Sequence, residues 1–573
     1  MATSGSARLV HPTTGQPLGG GPVGRPRASL AEGRYGPYDA ADPASQELGS
    51  WQPGSYTIDG ALEGARQRLG NRVDDLVRND GWAAGTVSAF INSVVGATFR
   101  FSSKPNRRVL GLSIEEADRL GRQIETIWNE IAFGPGQWLD AGRRMDGAGL
   151  VALNVRHRLI DGDWFQRVAW RDRRDYPAAP WRTCIQTIHP ERVSNPFDAG
   201  DELYRRGGVE LDGLGAAVGF HVRHVHPGDE GLVGAELGWA YVARELPWGR
   251  PQMLQGFRVE EAGQARGVSP FAPVLKRLKM NSRYEAYEMQ AAVANAVLAA
   301  FIESSLPAEV VAEALEDKSA ASLNTLDDYR AGYYEAAPIR LNGIRMPVLP
   351  TGDRVNFPTS SRPNKEASNF VGLGLRNLAA ATGLNPSQIS RDYSQTNYSS
   401  ERAAMLEAGK TIAWELATQG RLFGTPVLLA VLEEAIEAGR VELPRGAPGL
   451  YEAPGAYLAG RWLGAPRGWV DPTKEAGASQ IRMDAGLSTL EAETAEQGLD
   501  WQEVLEQQAL EQRERERLGL PAPGEVTVRE QASQEDGGGA FEYRRGGDPS
   551  GSGQGRRPQG RSRIPNSPAR RRG

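Results

Sequence analysis

The chain of 573 residues contains a single cysteine, Cys184, and no long run of apolar residues. One cysteine excludes a disulfide framework and a zinc site built only from cysteines, and it fits a reducing compartment. The longest apolar stretch, 291–302, is interrupted by Asn295 and is well short of the ~20 residues that span a bilayer. The first ten residues lack the basic start and apolar core of a secretory signal. We therefore predict a soluble protein that is not exported and has no membrane contact.

An excess of positive charge is also missing, since the chain carries a net charge of −5. This balance excludes a uniformly basic nucleic-acid coat. Residues 554–573 nevertheless hold seven arginines and no acidic residue, and subtracting them leaves −12 for the rest. Because this tail and residues 1–50 are rich in Gly and Pro without an apolar period, both are predicted to be disordered.

Motifs for catalysis and cofactor binding are incomplete. The run MLEAGKT (405–411) ends like a phosphate-binding loop, but Ala404 stands where that motif has its first glycine. The run GLGLRN has Asn377 in place of the third glycine of a dinucleotide-binding loop. There is no GxSxG or HExxH motif. The chain is therefore predicted not to be an enzyme, to have no ATPase or nuclease activity, and to bind no cofactor.

Four histidines are candidate metal ligands, but their spacing argues against a shared site. On a strand, His221 and His224 point to opposite faces, whereas His224 and His226 share one. His189 is distant in the sequence, and no cysteine or carboxylate cluster completes a coordination set. Ordinary strand histidines are the favoured interpretation, and no metal site is predicted.

Apolar periodicity predicts an α+β fold that is mainly helical. Helices are expected over about 71–96 and 138–160, and a further helix is expected to begin at Ser113, with Glu116 closing a capping box. Shorter periods between them indicate a small sheet, with strands predicted at 164–170, 183–188 and 218–225.

A long helix from Ser269 to Ile302, with Pro270 in its first turn, carries a heptad-like apolar seam. Its candidate subunit-interface residues are Tyr284, Tyr287, Ala291 and Leu298, and its basic flank consists of Lys276, Lys279 and Arg283. A seam packed inside its own subunit is the equally open alternative.

A small unit with short strands follows at 303–358, then a helix at about 365–382. The next segment, 383–400, has only two aliphatic residues and is dense in Asn, Ser and Gln, which predicts a loop. Residues 401–439 are again helical, and a charged helix follows Gly498. The polar loop is either a surface connection or a functional loop.

Several segments together resemble the portal proteins of tailed phages, in the family of the lambda portal. They include RGVSPF (266–271), D-x-S-x-x-N-Y-S-S (392–400) and V-D-P-x-K-E (470–475), found in this order. The similarity covers roughly residues 56–510, and the N-terminal arm and the Arg-rich tail match nothing in the family.

The resemblance implies a portal fold with wing, stem, clip and crown regions. Its order assigns the regions as follows: a flexible arm at 1–50, the N-terminal wing at 51–265, the first stem helix at 266–302, the clip at 303–357, the second stem helix at 358–382, the channel loop at 383–400, a long wing helix and the crown at 401–500, and a charged helix with the disordered tail at 501–573.

The resemblance also implies a protein of a virion or of a prophage-derived particle, assembled in the host cytoplasm. It would form a dodecameric ring at one capsid vertex, as the DNA channel for genome packaging and ejection. Expected partners are the terminase large subunit, a head-completion or adaptor protein, the major capsid and scaffold proteins, and double-stranded DNA in the channel. The DNA-facing residues predicted for the loop are Asn385, Ser387, Gln388, Arg391, Gln395 and Asn397. The competing hypothesis is a DNA-binding protein that acts through the basic tail, whose binding would depend strongly on salt.

Overall fold

The computed structural model describes residues 40, 45–48, 50–232, 238–298, 339–341, 344–346, 367–394, 397–466, 468 and 471–520. Nearly all of the predicted arm, most of the predicted clip and the Arg-rich tail lie outside this part of the chain. Within it, helices and strands together confirm an α+β fold.

The helices are α1 (Ile58–Leu62), α2 (Arg66–Asn79), α3 (Gly81–Val94), α4 (Arg107–Leu110), α5 (Ile114–Phe133), α6 (Gly147–Ile160), α7 (Leu275–Leu298), α8 (Ala367–Thr382), α9 (Pro386–Ser390), α10 (Tyr398–Gln419), α11 (Thr425–Glu437), α12 (Pro454–Tyr457), α13 (Pro472–Asp484), α14 (Leu490–Glu496) and α15 (Trp501–Leu518). The strands are β1 (Arg100–Ser103), β2 (Asp163–Trp170), β3 (Thr183–Ile188), β4 (Arg205–Arg206), β5 (Val209–Leu211), β6 (Ala217–Arg223), β7 (Trp239–Ala243), β8 (Met253–Phe257), β9 (Ile339–Leu341), β10 (Ile344–Met346) and β11 (Gly460–Leu463).

Local capping sets the helix boundaries in the N-terminal half. Ser113 and Glu116 form the predicted capping box of α5. The single helix predicted over 71–96 is instead two helices, α2 and α3, separated at Asp80. The Asp80 carboxylate accepts the Ala83 N–H at 2.9 Å and thereby caps α3, so the backbone turns at this point.

The helix predicted over 138–160 begins nine residues later than expected, at Gly147. The Asp140 carboxylate accepts backbone N–H groups of Gly142, Arg144 and Met145 and holds the preceding residues in turns. Asp146 then caps α6 through the Gly149 N–H at 2.7 Å. Short-range side-chain hydrogen bonds therefore prevent the helix from extending towards residue 138.

The predicted strands are confirmed as β2, β3 and β6, and they belong to two separate antiparallel sheets. Strand β2 lies at the centre of the order β3-β2-β8, and β6 belongs to the order β4-β5-β6-β7. Strands β1 and β11 pair across 360 residues of sequence, Phe101 opposite Trp462. In the predicted clip, β9 and β10 form an antiparallel pair.

One large apolar core joins α2, α3, α5, α6, β2 and α11, and a smaller one lies under the four-stranded sheet. Trp462 stacks on Phe99 at a centroid distance of 4.7 Å in the large core. A turn of π-helix at Gly420–Gly424 joins α10 to α11 and lies against the same indole ring. A Cβ at Gly420 or Gly424 would lie 2.6 Å from the indole ring, so only glycine allows this close packing.

A buried ion pair ties β2 to the segment that precedes α7. Arg266 Nε lies 2.5 Å from Asp163 Oδ2, and each side chain is 1% exposed. The guanidinium also donates to the carbonyl oxygens of Val193 at 2.8 Å and Pro190 at 3.2 Å. The arginine of RGVSPF therefore connects β2 with the turns at Pro190 and Val193.

Candidate functional site

Helices α7 and α8 lie side by side and bracket residues 299–366. Tyr284 contacts Phe370 at a ring-centroid distance of 4.8 Å, and Arg277 Nη1 donates to Asn377 Oδ1 at 2.8 Å. A Cβ at Gly374 would lie 1.6 Å from Asn281 Nδ2, so a glycine is required where the two helices come closest. These helices correspond to the two predicted stem helices.

The first of these helices starts later than predicted, at Leu275 rather than Ser269. The Ser269 hydroxyl donates to the Leu159 carbonyl at 2.6 Å and accepts the Phe271 N–H at 3.1 Å. Residues 270–274 therefore form turns packed against the end of α6, and Pro270 lies before the helix.

Side-chain contacts attach α7 to the start of α3. The Ser282 hydroxyl donates to Asp80 Oδ2 at 2.5 Å, and Trp82 Nε1 donates to Glu285 Oε1 at 3.3 Å. Asp80 thus both caps α3 and binds α7, which helps to fix the direction of α7 relative to α3.

The predicted apolar seam of α7 divides into two parts. Tyr284 and Ala291 are half-buried within the subunit, whereas Tyr287 is 61% exposed and Met280 is 55% exposed. The side chain of Leu298 lies outside the described residues. Tyr284 therefore packs within its own subunit, whereas Tyr287 remains exposed to solvent.

The predicted basic flank lies on the surface of the same helix. Lys276 and Arg283 are exposed, and Lys279 Nζ lies 3.4 Å from Asp75 Oδ2 at the surface. An exposed pair of this kind contributes little to stability, so all three cations stay accessible to solvent.

The polar segment 383–400 is more ordered than a loop, which corrects the prediction. It contains the short helix α9, whose capping box joins Asn385 and Gln388. The Asn385 N–H donates to Gln388 Oε1 at 2.9 Å. Asn397 then caps α10 through the Ser400 N–H at 2.9 Å. The described part of the segment therefore contains two capped helix starts.

Glu401, in the first turn of α10, binds side chains at the start of α9. Its carboxylate accepts hydrogen bonds from Asn385 Nδ2 at 3.0 Å and Ser387 Oγ at 2.8 Å. Asn385 and Ser387 are 8% and 6% exposed. Both side chains, which were predicted to face DNA, are therefore buried against Glu401 in this structure. Glu401 was not among the predicted residues, although its place in the first turn of a capped helix is visible in the sequence.

The arc 391–397 connects α9 to α10, and its described residues 391–394 and 397 are exposed. Arg391 adopts a left-handed conformation with φ of 54° and is exposed, as is Asn397, and Gln388 is half-buried. Hydrogen bonds from Ser394 lower the pKa of the neighbouring Asp392 carboxyl, so Asp392 is ionised beside Arg391 at neutral pH. Gln395 lies outside the described residues.

The remaining sequence motifs have structural positions of their own. MLEAGKT lies inside α10, where Lys410 Nζ is 2.7 Å from Glu407 Oε1 at the surface. A phosphate-binding loop requires a turn after a strand, and this run is helical throughout. GLGLRN likewise lies within α8.

Histidines and carboxylates from distant parts of the sequence meet at one point. His189 lies between His157 and His226, with ring centroids 5.0 and 4.6 Å away. His157 Nδ1 is 2.9 Å from Asp161 Oδ2. Burial, with a smaller contribution from His157, lowers the pKa of His189 to about 4. The sequence places His221, His224 and His226 close together but gives no sign that His157, Asp161, His189 and Glu191 join His226.

Similarity to known proteins agrees with this architecture. The family model for the phage portal protein, lambda family, matches residues 44–414. The portal protein of Escherichia phage N15 is 34% identical over 488 residues, which cover 83% of this chain and 90% of that protein. Portal protein B of Escherichia phage lambda is 33% identical over 488 residues, covering 83% and 89%.

The chain belongs to the lambda family of phage portal proteins. The resemblance inferred from RGVSPF and the other motifs is thereby confirmed, and the alternative of a DNA-binding protein that acts through its tail finds no support. No described helix of this portal protein is both long enough and apolar enough to cross a membrane.

Two solved structures from gene transfer agent particles are also similar to the chain. The neck of the empty particle, computed with C6 symmetry, matches at 13% identity with a TM-score of 0.33, covering 68% of this chain and 94% of that one. The neck of the native particle, computed with C12 symmetry, matches at 13% identity with a TM-score of 0.29, covering 67% and 88%.

Proposed function

We propose that this portal protein forms a closed ring of twelve copies at one vertex of the phage capsid, with double-stranded DNA passing through its centre. The order of described elements supports the proposal. Helix α7 is the first stem helix, β9 and β10 belong to the clip, and α8 is the second stem helix. The capped polar segment is the channel segment, and the long helix α10 is the wing helix.

The observation that carries the ring proposal is the apolar surface that α7 and α8 leave uncovered. Tyr284 and Phe370 pack together between the helices, yet Met280, Tyr287 and Leu373 are each more than half exposed. A closed cyclic assembly uses two different faces of every subunit, each complementary to the other. A neighbouring stem would remove these side chains from water, at a gain of roughly 25 cal/mol per Å² of apolar surface.

The regions have separate tasks in this proposal. Residues 51–265 and 401–500 form the wing and crown that contact the major capsid and scaffold proteins. Residues 303–357 form the clip, where the terminase large subunit docks during packaging and a head-completion or adaptor protein docks afterwards. The chemical energy for packaging comes from the terminase, so purified portal protein is expected not to hydrolyse ATP.

The arc 391–397 is proposed to face the DNA. Arg391 and Asp392 are adjacent and of opposite charge, so the arc adds little net positive charge to the channel. A single arginine releases about one counterion on binding a phosphate, which is too few to hold a duplex at physiological salt. Contacts of this kind suit DNA that must slide.

Replacing 391–396 with a shorter glycine linker is expected to impair DNA translocation or retention after packaging while ring formation continues. The replacement spares Asn385, Ser387 and Glu401, so the anchored part of the segment is kept. DNA packaged per particle and DNA retained after nuclease treatment are the quantities to measure.

The matched control replaces 172–177 with glycines, because this equally exposed stretch lies in the connection between β2 and β3. It should package and retain DNA like the unmodified protein. If the 391–396 variant also did so, or if it failed to form rings, the channel assignment would be wrong.

The ring itself is tested by native mass spectrometry of the purified chain under assembly conditions. Twelve copies of a 62.1 kDa chain form a species that is readily separated from a monomer or dimer. A chain that stayed monomeric under these conditions would contradict the proposed function.

A further inference from the structure

The histidine cluster of the wing combines five potential metal ligands from three chain segments. His157 and Asp161 lie at the end of α6, His189 and Glu191 lie at the turn after β3, and His226 follows β6. His226 Nε2 is 3.3 Å from Glu191 Oε2, and the ring of His189 lies between the other two imidazoles.

The donor atoms form two overlapping triads, each compact enough to hold one ion. In each of two overlapping triads, His157/Asp161/His189 and His189/Glu191/His226, one donor atom per residue lies within 4.8 Å of the others. Ligands of a tetrahedral zinc ion, with bonds of about 2.0–2.1 Å, are separated by about 3.3 Å. Small side-chain movements therefore bring either triad to bonding distance. His189 belongs to both triads.

Charge and access favour a cation at this position. The carboxylates of Asp161 and Glu191 supply the two negative charges that balance a dication, and three imidazoles supply neutral nitrogen ligands. Both carboxylates line a cavity of about 400 Å³ that gives an ion a path to the cluster. Gly70 of α2 faces them, since a Cβ there would lie 3.3 Å from Asp161 Oδ1 and 4.0 Å from Glu191 Oε1.

We propose that the cluster centred on His189 is a binding site for one divalent transition-metal ion such as zinc. His189, Glu191 and His226 are the proposed ligands, and His157 packs against the ring of His189 at a centroid distance of 5.0 Å. The ion would link the turns that follow β3 and β6.

Hydrogen bonds to the other ring nitrogens set the expected affinity. The Nδ1 atoms of His189 and His226 accept backbone N–H groups of Glu191 at 3.3 Å and Gly228 at 3.0 Å. Coordination through Nε2 moves the ring proton to Nδ1 and gives up these two bonds. Missing outer-shell support weakens metal binding by about 10–100-fold, so we expect an exchangeable site with a dissociation constant on the order of 1 μM.

The test uses full-length, tag-free protein that has been treated with chelator, dialysed and titrated with zinc chloride in a calorimeter. The expected result is one zinc ion per chain. His189→Ala should weaken binding at least about 10-fold, because it removes a ligand common to both triads. The matched control is His224→Ala. His224 is exposed, lies two residues before His226 and is outside the cluster, so this variant should bind zinc like the unmodified protein.

Cobalt(II) provides an independent readout, because nitrogen and oxygen ligation changes its visible absorption spectrum. If His189→Ala does not fold, Glu191→Gln removes one charged ligand with little change in size and should lower the affinity in the same way. The site is supported if the unmodified protein binds one zinc ion per chain and either His189→Ala or Glu191→Gln loses this binding. Absence of binding to the unmodified protein, or equal binding by the cluster variants and His224→Ala, would overturn it.

Discussion

Replacing Tyr287 with aspartate is expected to leave the portal protein as monomers under conditions where the unmodified chain forms rings. Tyr287 is 61% exposed on α7, and in the proposed ring a neighbouring subunit covers it. An aspartate at this position would be buried without a partner in every subunit contact, and burial of an unpaired charge costs several kcal/mol. The penalty recurs around the ring, so native mass spectrometry should show loss of the assembled species.

The control for this variant is Leu214→Asp, which adds the same charge to an exposed apolar side chain in the turn between β5 and β6. Leu214 is 98% exposed, and the substitution is expected to leave both folding and assembly intact. Circular dichroism of the Tyr287→Asp monomer should match that of the unmodified chain. Rings that form as readily with aspartate at 287 would show that this face of α7 is not a subunit contact.

The second large effect is expected from Arg266→Met, which leaves the Asp163 carboxylate buried without its partner. Breaking a buried ion pair on one side typically costs about 3–5 kcal/mol. Here the loss includes hydrogen bonds to the carbonyl oxygens of Val193 and Pro190. Thermal unfolding should begin at a temperature lower by about 5 °C or more.

Two comparisons separate the buried charge from a general effect of losing an arginine. Arg78→Met removes a guanidinium from an exposed pair with Asp74 and should change stability by less than about 1 kcal/mol. Adding Asp163→Asn to Arg266→Met removes the orphaned charge and keeps an acceptor for the Gly267 N–H, so the double variant should recover part of the loss. Equal melting temperatures for all these variants would show that the ion pair does not stabilise the fold.

Features encoded over a few residues were predictable from the sequence. The capping box of α5 depends on Ser113 and Glu116 alone, and strands β2, β3 and β6 follow from their short apolar period. The same local signal was present for α9, since Asn385, Pro386 and Gln388 form an N-terminal capping pattern. Polar composition was given more weight than this pattern, and the segment was wrongly predicted to be a loop.

Features that depend on the tertiary fold were beyond sequence reasoning. His157 and Asp161 belong to a helix, and nothing in their spacing indicates that His189 and His226 approach them. The burial of Asn385 and Ser387 similarly depends on Glu401, which reaches them from the next helix. The break at Asp80 follows from a side chain that caps α3 and also binds Ser282 of α7.

The central claim is most directly tested by electron cryomicroscopy of the assembled protein. We expect a closed ring of twelve subunits in which α7 and α8 of every subunit surround a central channel wide enough for duplex DNA. The arc 391–397 should point into that channel, and Tyr287 should lie in the contact between neighbouring subunits. An open or monomeric particle, or a ring in which α7 and α8 lie on the outer surface away from the channel, would contradict the account.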